Sequence, residues 1–283
     1  MSTGLQQQFG KDGIVYPVSA ISPARAAQLL PRFYELRSRM AGWTDSVQIL
    51  KAHLVCTWVA DLVRNDAVLD VIEELIGPNI LCWTATFFAK EPLAPGYVGW
   101  HQDISYWGLD PAEKVVTAWL GLTDAGTDNG CMCFVPGTHA QEDREYLFHQ
   151  ESENMLLAAQ EITLTSVEQD SVRAVKLAPG QFSVHHSRLI HGSYGNESSR
   201  PRIGLSINYM STDVRQTVGN GEDRATLVRG VDAFGHFDLE RRPVSDFDER
   251  SLEAYRESIV SPGGVGVTNE DVYDTRPDLA RIA

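Results

Sequence analysis

The feature that most restricts this chain is a series of short, β-prone segments broken by turn residues between Ile80 and Met210. Leu81–Lys90 is rich in aromatic residues, Val115–Leu122 forms a second segment, and Cys131–Val135 a third, closed by Pro136-Gly137. Lys176-Leu177 leads into the turn Pro179-Gly180, after which Gln181–Ile190 resumes a strand. Gly195–Ser199 turns the chain again, and Ile203–Met210 is the last clear strand. Strands this short, recurring every ~8–12 residues, predict a sandwich or barrel and not a parallel α/β sheet.

Helices are expected ahead of this region. Ser22-Pro23 reads as an N-cap with proline at the first helical position. Leu29, Leu30, Phe33, Leu36 and Met40 then recur at helical spacing. A second helix is expected over Ala67–Ile76, stopped by Gly77-Pro78, because proline cannot continue a helix. The chain thus reads as one domain over residues 1–283, with a helical front (1–79), a strand-rich core (80–210) and a tail (211–283). The polar, Glu-rich stretch from Ala140 to Val172 is too long for a hairpin turn and is expected to form a partly helical lid.

Composition narrows the function classes. A net charge of −14 lacks the basic footprint that nucleic acids or anionic membranes require. No segment approaches the ~20 apolar residues of a membrane span, and Met1–Gly10 is polar with no secretory pattern. The four cysteines, Cys56, Cys82, Cys131 and Cys133, are irregularly spaced, which predicts reduced thiols and a cytoplasmic protein. Cys131-Met-Cys133 has no second cysteine pair nearby and is expected to be two buried thiols, not a metal site.

The chemistry concentrates on histidines. His101-Gln102-Asp103 places an imidazole and a carboxylate at i and i+2, positions that share a face of extended backbone. A further histidine from a distant strand would complete two histidines and one carboxylate, the ligand set of non-haem iron(II) oxygenases, which leaves adjacent positions open. His-x-Asp alone arises by chance, and His185, His186 and His191 all lie on or near the Gln181–Ile190 strand. His191 has the better company, since Gly192 and Ser193 follow it and Arg202 lies eleven residues on. His139, His149 and His236 are expected at the surface or in caps. In the last strand Ile203, Leu205 and Ile207 form an apolar face, which would leave Arg202, Gly204, Ser206 and Asn208 facing a polar cavity. An arginine there offers a planar fork to a carboxylate.

His101-Gln102-Asp103, Trp119, Asn129-Gly130-Cys131, Val135-Pro136-Gly137-Thr138-His139, His191-Gly192-Ser193 and Arg202 together resemble the phytanoyl-CoA dioxygenase family, in order, from about Phe9 to Tyr209. The resemblance implies a mainly β, cupin-like double-stranded β-helix (jelly-roll) with flanking helices. It implies Fe(II) held by His101, Asp103 and His191, with 2-oxoglutarate as cosubstrate and O2 as oxidant. Arg202 would take the far carboxylate of 2-oxoglutarate, Ser193 would be a second contact, and Trp119 a wall beside the metal. Thr86, and less directly Lys51, align with cosubstrate-pocket positions. The substrate would be a small molecule, free or bound to a carrier or CoA. Ile76–Trp83 and Phe87–Lys90 are also similar to carrier-protein halogenases of the superfamily. Those enzymes replace the carboxylate ligand with a small residue, whereas Asp103 is kept here, which favours hydroxylation over halogenation. Asp213, Arg215 and Gln216 are expected near the pocket, with Arg215 more simply read as an exposed, salt-bridged residue.

Overall fold

Short antiparallel strands dominate, and helices precede, interrupt and follow them. A computed structural model describes residues 4–41, 48–145, 147–148, 153–156, 160–218 and 223–260. The chain divides into two units, each assembled from three separate stretches. The first comprises residues 1–33, 88–105 and 119–205, and the second 34–87, 106–118 and 206–283.

In the first unit, Ile14–Ser19 pairs antiparallel with Gln181–His186, setting Ile14 opposite His185 and Val15 opposite Val184 before the register slips. A separate antiparallel sheet has the order Arg173–Ala174, Met132–Phe134, His191–Ser193, Val98–His101. Its register sets His191 directly opposite His101 on one side and Phe134 on the other. Ile14, Trp119, Phe134, Val175, Leu177 and Leu189 form one apolar cluster of this unit. Val135, Ile162, Leu164 and Ile190 form another, with Trp100 against it.

In the second unit, helix Asp66–Ile76 buries Val68, Leu69, Val71, Ile72 and Ile76. The Asn65 side chain caps it by accepting from the Val68 N–H, and the chain leaves it through Gly77. Strand Arg224–Arg229 pairs antiparallel with the start of Ile80–Lys90, placing Thr226 opposite Cys82.

The expected strands are present as Ile80–Lys90, Val115–Gly121, Met132–Phe134 and Arg202–Ser211. Helix Pro23–Arg39 begins where expected, with Ser22 Oγ accepting from the Arg25 N–H at 3.1 Å. One expectation is corrected: the strand from Gln181 ends at His186, and a turn at Ser187-Arg188 precedes a separate strand, His191–Ser193. The apolar Leu189-Ile190 pair made the stretch read as continuous. Periodicity also missed helices Gly4–Asp12 and Glu249–Val260 and strands Ile14–Ser19 and Arg224–Arg229. Helix Gly4–Asp12 has no buried residue, so no apolar stripe marks it. Of the 140–172 stretch, residues 146, 149–152 and 157–159 lie outside the described residues. The described part contains the helix Ser166–Ser171, opened by a capping box between Thr165 and Glu168.

Candidate metal centre

His101 is the last residue of Val98–His101, and Asp103 begins the 3-10 turn Asp103–Tyr106. The backbone between them is therefore not the continuous extended strand that the spacing suggested. The two side chains still converge, with His101 Nε2 3.3 Å from Asp103 Oδ1. His191 arrives from the facing strand, its Nε2 3.8 Å from the same oxygen. One potential ligand atom from each of the three lies within 4.8 Å of the others, and all three residues are buried. This is the one such metal-ligating group found among the described residues.

The hydrogen bonds set the tautomers. His101 Nδ1 lies 2.8 Å from the Gly99 carbonyl and His191 Nδ1 2.9 Å from the Leu189 carbonyl. A carbonyl only accepts, so each Nδ1 carries a proton and each Nε2 is the atom left to face Asp103 or a cation. Such backbone bonds are what orient metal-binding imidazoles. Burial alone would raise the Asp103 carboxyl, but the facing imidazoles of His191, His101 and His185 hold it well below its ordinary value. Burial, with His101 and His185 nearby, pushes His191 well down. An ionised Asp103 and two imidazoles whose Nδ1 atoms are held by backbone carbonyls leave three donor atoms for a divalent cation, so the donor set fits one.

The motifs around these residues act as supports. Thr138 Oγ donates to the Val135 carbonyl at 2.8 Å and accepts from the Ile190 N–H at 3.0 Å, which holds the approach to His191. Gln102, buried between two ligand candidates, donates to the Arg188 carbonyl at 2.7 Å and accepts from the Arg144 N–H at 2.8 Å. Arg144 in turn pairs with Glu168 of helix Ser166–Ser171 at 2.9 Å. His139, expected at the surface, is half-buried beside the rings of Phe9 and His186. His236 is exposed and stacks on Phe234, and His149 lies outside the described residues.

Arg202 is 3% exposed. Its Nε and Nη2 donate to the Gly130 carbonyl at 2.9 and 2.6 Å, and Nη2 to Ser193 Oγ at 3.3 Å. Among the described residues no carboxylate pairs with it. Burial lowers its pKa to about 10. Gly130 lies at φ +77° and sits so close to the Tyr194 carbonyl that a Cβ would stand 2.5 Å from that oxygen. Trp119 lies under the guanidinium, with Arg202 Cζ 5.1 Å from its ring centre. Gly204 makes room for that ring, since a Cβ there would fall 2.0 Å from the indole.

The sequence reading missed Lys90. It is 1% exposed, and its Nζ donates to Ser193 Oγ at 2.8 Å and to the Tyr194 carbonyl. Burial and then Arg202 lower its pKa to about 6. The available signal was a lone cation at the inward alternation of an otherwise buried strand, in step with Thr84 and Thr86. In the second unit Thr86 is buried with its Oγ1 3.5 Å from that of Thr84. Lys51 is bound there by Glu240 and Ser258, each at 2.8 Å. Arg215 forms an exposed pair with Asp110 at 3.5 Å. Cys131 and Cys133 are free and buried.

Residues 9–204 match the phytanoyl-CoA dioxygenase (PhyH) family. The chain belongs to that family. Among its relatives, human peroxisomal phytanoyl-CoA dioxygenase is 24% identical over 175 residues, covering 60% of this chain and 51% of that protein. This phytanoyl-CoA dioxygenase family member thus spans about half the length of the curated relatives it matches. It also resembles the solved apo structure of the non-heme monooxygenase ThoJ, with a TM-score of 0.82 and 30% identity over 97% of this chain and 99% of that one. The epimerase SnoN from nogalamycin biosynthesis shares the fold, with a TM-score of 0.58 and 21% identity over 84% and 95% of the two chains. The fold class is the family's jelly-roll with flanking helices. No helix among the described residues is long and apolar enough to cross a membrane.

Proposed function

We propose that the chain is an Fe(II)- and 2-oxoglutarate-dependent oxygenase that hydroxylates an unactivated C–H bond of a small polar or anionic metabolite or natural-product intermediate. The observation that carries this reading is the pairing of the His101, Asp103, His191 cluster with a buried Arg202 in the same unit, which reaches Ser193 two residues beyond His191 and has no carboxylate partner among the described residues. A buried guanidinium without an anion keeps part of its desolvation cost uncompensated. A dicarboxylate cosubstrate would supply the missing charge.

In this reading His101 Nε2, His191 Nε2 and Asp103 Oδ1 hold the metal. Arg202 and Ser193 take the far carboxylate of 2-oxoglutarate, with Lys90 beside them, and Trp119 walls the guanidinium. Bound iron, with 2-oxoglutarate and O2, supplies the oxidising power, releasing succinate and carbon dioxide. The protein orients the cosubstrate and excludes water, and Gln102 keeps the ligand-bearing turn pinned to Arg144 and Arg188. The retained Asp103 carboxylate supports hydroxylation over halogenation. Desaturation, cyclisation or epoxidation would use the same centre and differ in where the substrate sits. A silent binding jelly-roll would have no need of a complete ligand set and an anion-seeking arginine. Four free, buried cysteines support a reducing, cytoplasmic setting.

The test is succinate release by purified, Fe(II)-loaded protein, first without and then with a panel of substrate classes. Slow release with 2-oxoglutarate alone, stimulated by one class, is expected. No release under any iron loading, with zinc held stoichiometrically through chelation, would overturn the reading.

A further inference from the structure

A third imidazole touches the centre without joining the ligand set. His185, 1% exposed, lies with its Nε2 3.3 Å from Asp103 Oδ2 and its ring centre 4.3 Å from that of His191. Asp103 therefore divides its oxygens, Oδ1 toward His101 and His191 and Oδ2 toward His185. The tautomers divide too. His101 and His191 place their Nδ1 protons on backbone carbonyls, whereas His185 Nδ1 is buried and has no hydrogen-bond partner among the described residues. A neutral imidazole carries a single N–H. Facing an acceptor-only carboxylate oxygen, His185 must carry it on Nε2, the tautomer opposite to that of the two ligand histidines.

We propose that His185 is a positioning residue: its Nε2–H holds Asp103 Oδ2, so that the carboxylate offers the metal one oxygen, Oδ1, and the position a second oxygen would take stays open. This inference rests on the metal reading above. A carboxylate with both oxygens free can bind one cation through two atoms. A donor fixed on one oxygen removes that option and sets the direction of the other lone pair. His185 is placed for this by the turn at Ser187-Arg188, which returns the chain so that His185 and His191 approach Asp103 from two separate strands.

The experiment is titration of metal-free protein with Co(II), followed by visible absorption, for wild type, His185→Phe and His185→Gln. Phenylalanine keeps the ring and removes the donor, while glutamine restores an N–H. His185→Phe should weaken Co(II) binding by about 10–100-fold and change the absorption spectrum toward higher coordination. His185→Gln should recover most of the affinity and the wild-type spectrum. Unchanged affinity and spectrum in His185→Phe would overturn the proposal, as would equal weakening in both variants with wild-type thermal unfolding. Should His185→Phe fail to fold, nitrogen NMR of histidine-labelled, Zn(II)-bound wild type decides. A His185 ring protonated on Nε2 and not metal-bound supports the proposal, and one that is metal-bound or protonated on Nδ1 overturns it. Wild type that binds no Co(II) would remove the metal reading and this inference together, whereas an unaltered His185→Phe on a metal-binding background removes only the latter.

Discussion

Arg202 and Lys90 are two buried basic side chains sharing one hydroxyl, Ser193 Oγ, and neither has a carboxylate partner among the described residues. Arg202→Leu should therefore raise the 2-oxoglutarate requirement steeply while leaving metal affinity nearly intact. The expected loss is about 2–5 kcal/mol, because the cosubstrate charge would be left unpaired in a secluded site. Arg202→Lys should recover only part, since a point charge cannot reproduce the fork. Cosubstrate titrations followed by succinate release check both, and an unchanged apparent affinity in Arg202→Leu would remove the inward reading of this strand. Lys90 makes a pH prediction. With its pKa lowered to about 6, it is largely neutral at pH 7.5 in the free protein. An incoming carboxylate favours the charged form, so binding should take up as much as about one proton per cosubstrate. Affinity should accordingly fall as pH rises above about 6. Calorimetry in buffers of different ionisation heat should read this uptake, and Lys90→Met should abolish it.

At the level of the elements, two contacts decide whether the site is held. Gly204 exists for the indole of Trp119, and a methyl there has no room, with its Cβ 2.0 Å from the ring. Gly204→Ala should displace Trp119 from beneath Arg202 at a cost of about 1–3 kcal/mol in unfolding free energy. Denaturant melts together with tryptophan fluorescence read both effects, and an unshifted midpoint would show that the strand gives way easily. Gln102 joins the ligand-bearing turn to Arg144 and thereby to helix Ser166–Ser171. Gln102→Leu leaves the Arg144 N–H and the Arg188 carbonyl without that partner, costing about 1–3 kcal/mol for each group that stays buried. Hydrogen exchange should then speed up over 141–145 and 187–190 but not over 14–19. Equal protection across all three would show that Gln102 is not the tie.

For the molecule as a whole, a buried charge cluster outside the centre lies in the second unit. Lys51, His53, Thr226 and Ser258 converge on Glu240. Burial would raise the Glu240 carboxyl, but Lys51 and His53 outweigh it and the net shift is downward. A lowered carboxyl stabilises the fold above its unfolded value, and that contribution is lost as pH falls through the folded one. Lys51→Met should leave Glu240 uncompensated, costing about 3–5 kcal/mol at neutral pH and moving acid unfolding to higher pH. Thermal melts across pH would check this, and an unchanged acid midpoint would mean that His53 and the hydroxyls suffice.

Much of the site was legible because its parts are local. The i, i+2 spacing of His101 and Asp103, the turn motifs around Pro136-Gly137 and Gly195–Ser199, and the alternation that turns Arg202 away from Ile203 and Leu205 all depend on neighbours in the chain. Local spacing could not rank His185, His186 and His191, because all three lie on one stretch of sequence. Gly192, Ser193 and Arg202, with the family resemblance, favoured His191, but what physically separates it from the other two is the turn at Ser187-Arg188 and the pairing of His191 with His101, which joins strands about 90 residues apart in sequence. The burial of Lys90, the choice of tautomer at each imidazole and the division of Asp103's oxygens are likewise decided by tertiary structure. Each is set by which carbonyl or carboxylate a distant segment brings within hydrogen-bonding reach. A sequence pattern states that such a group is present, and the fold alone states what it faces.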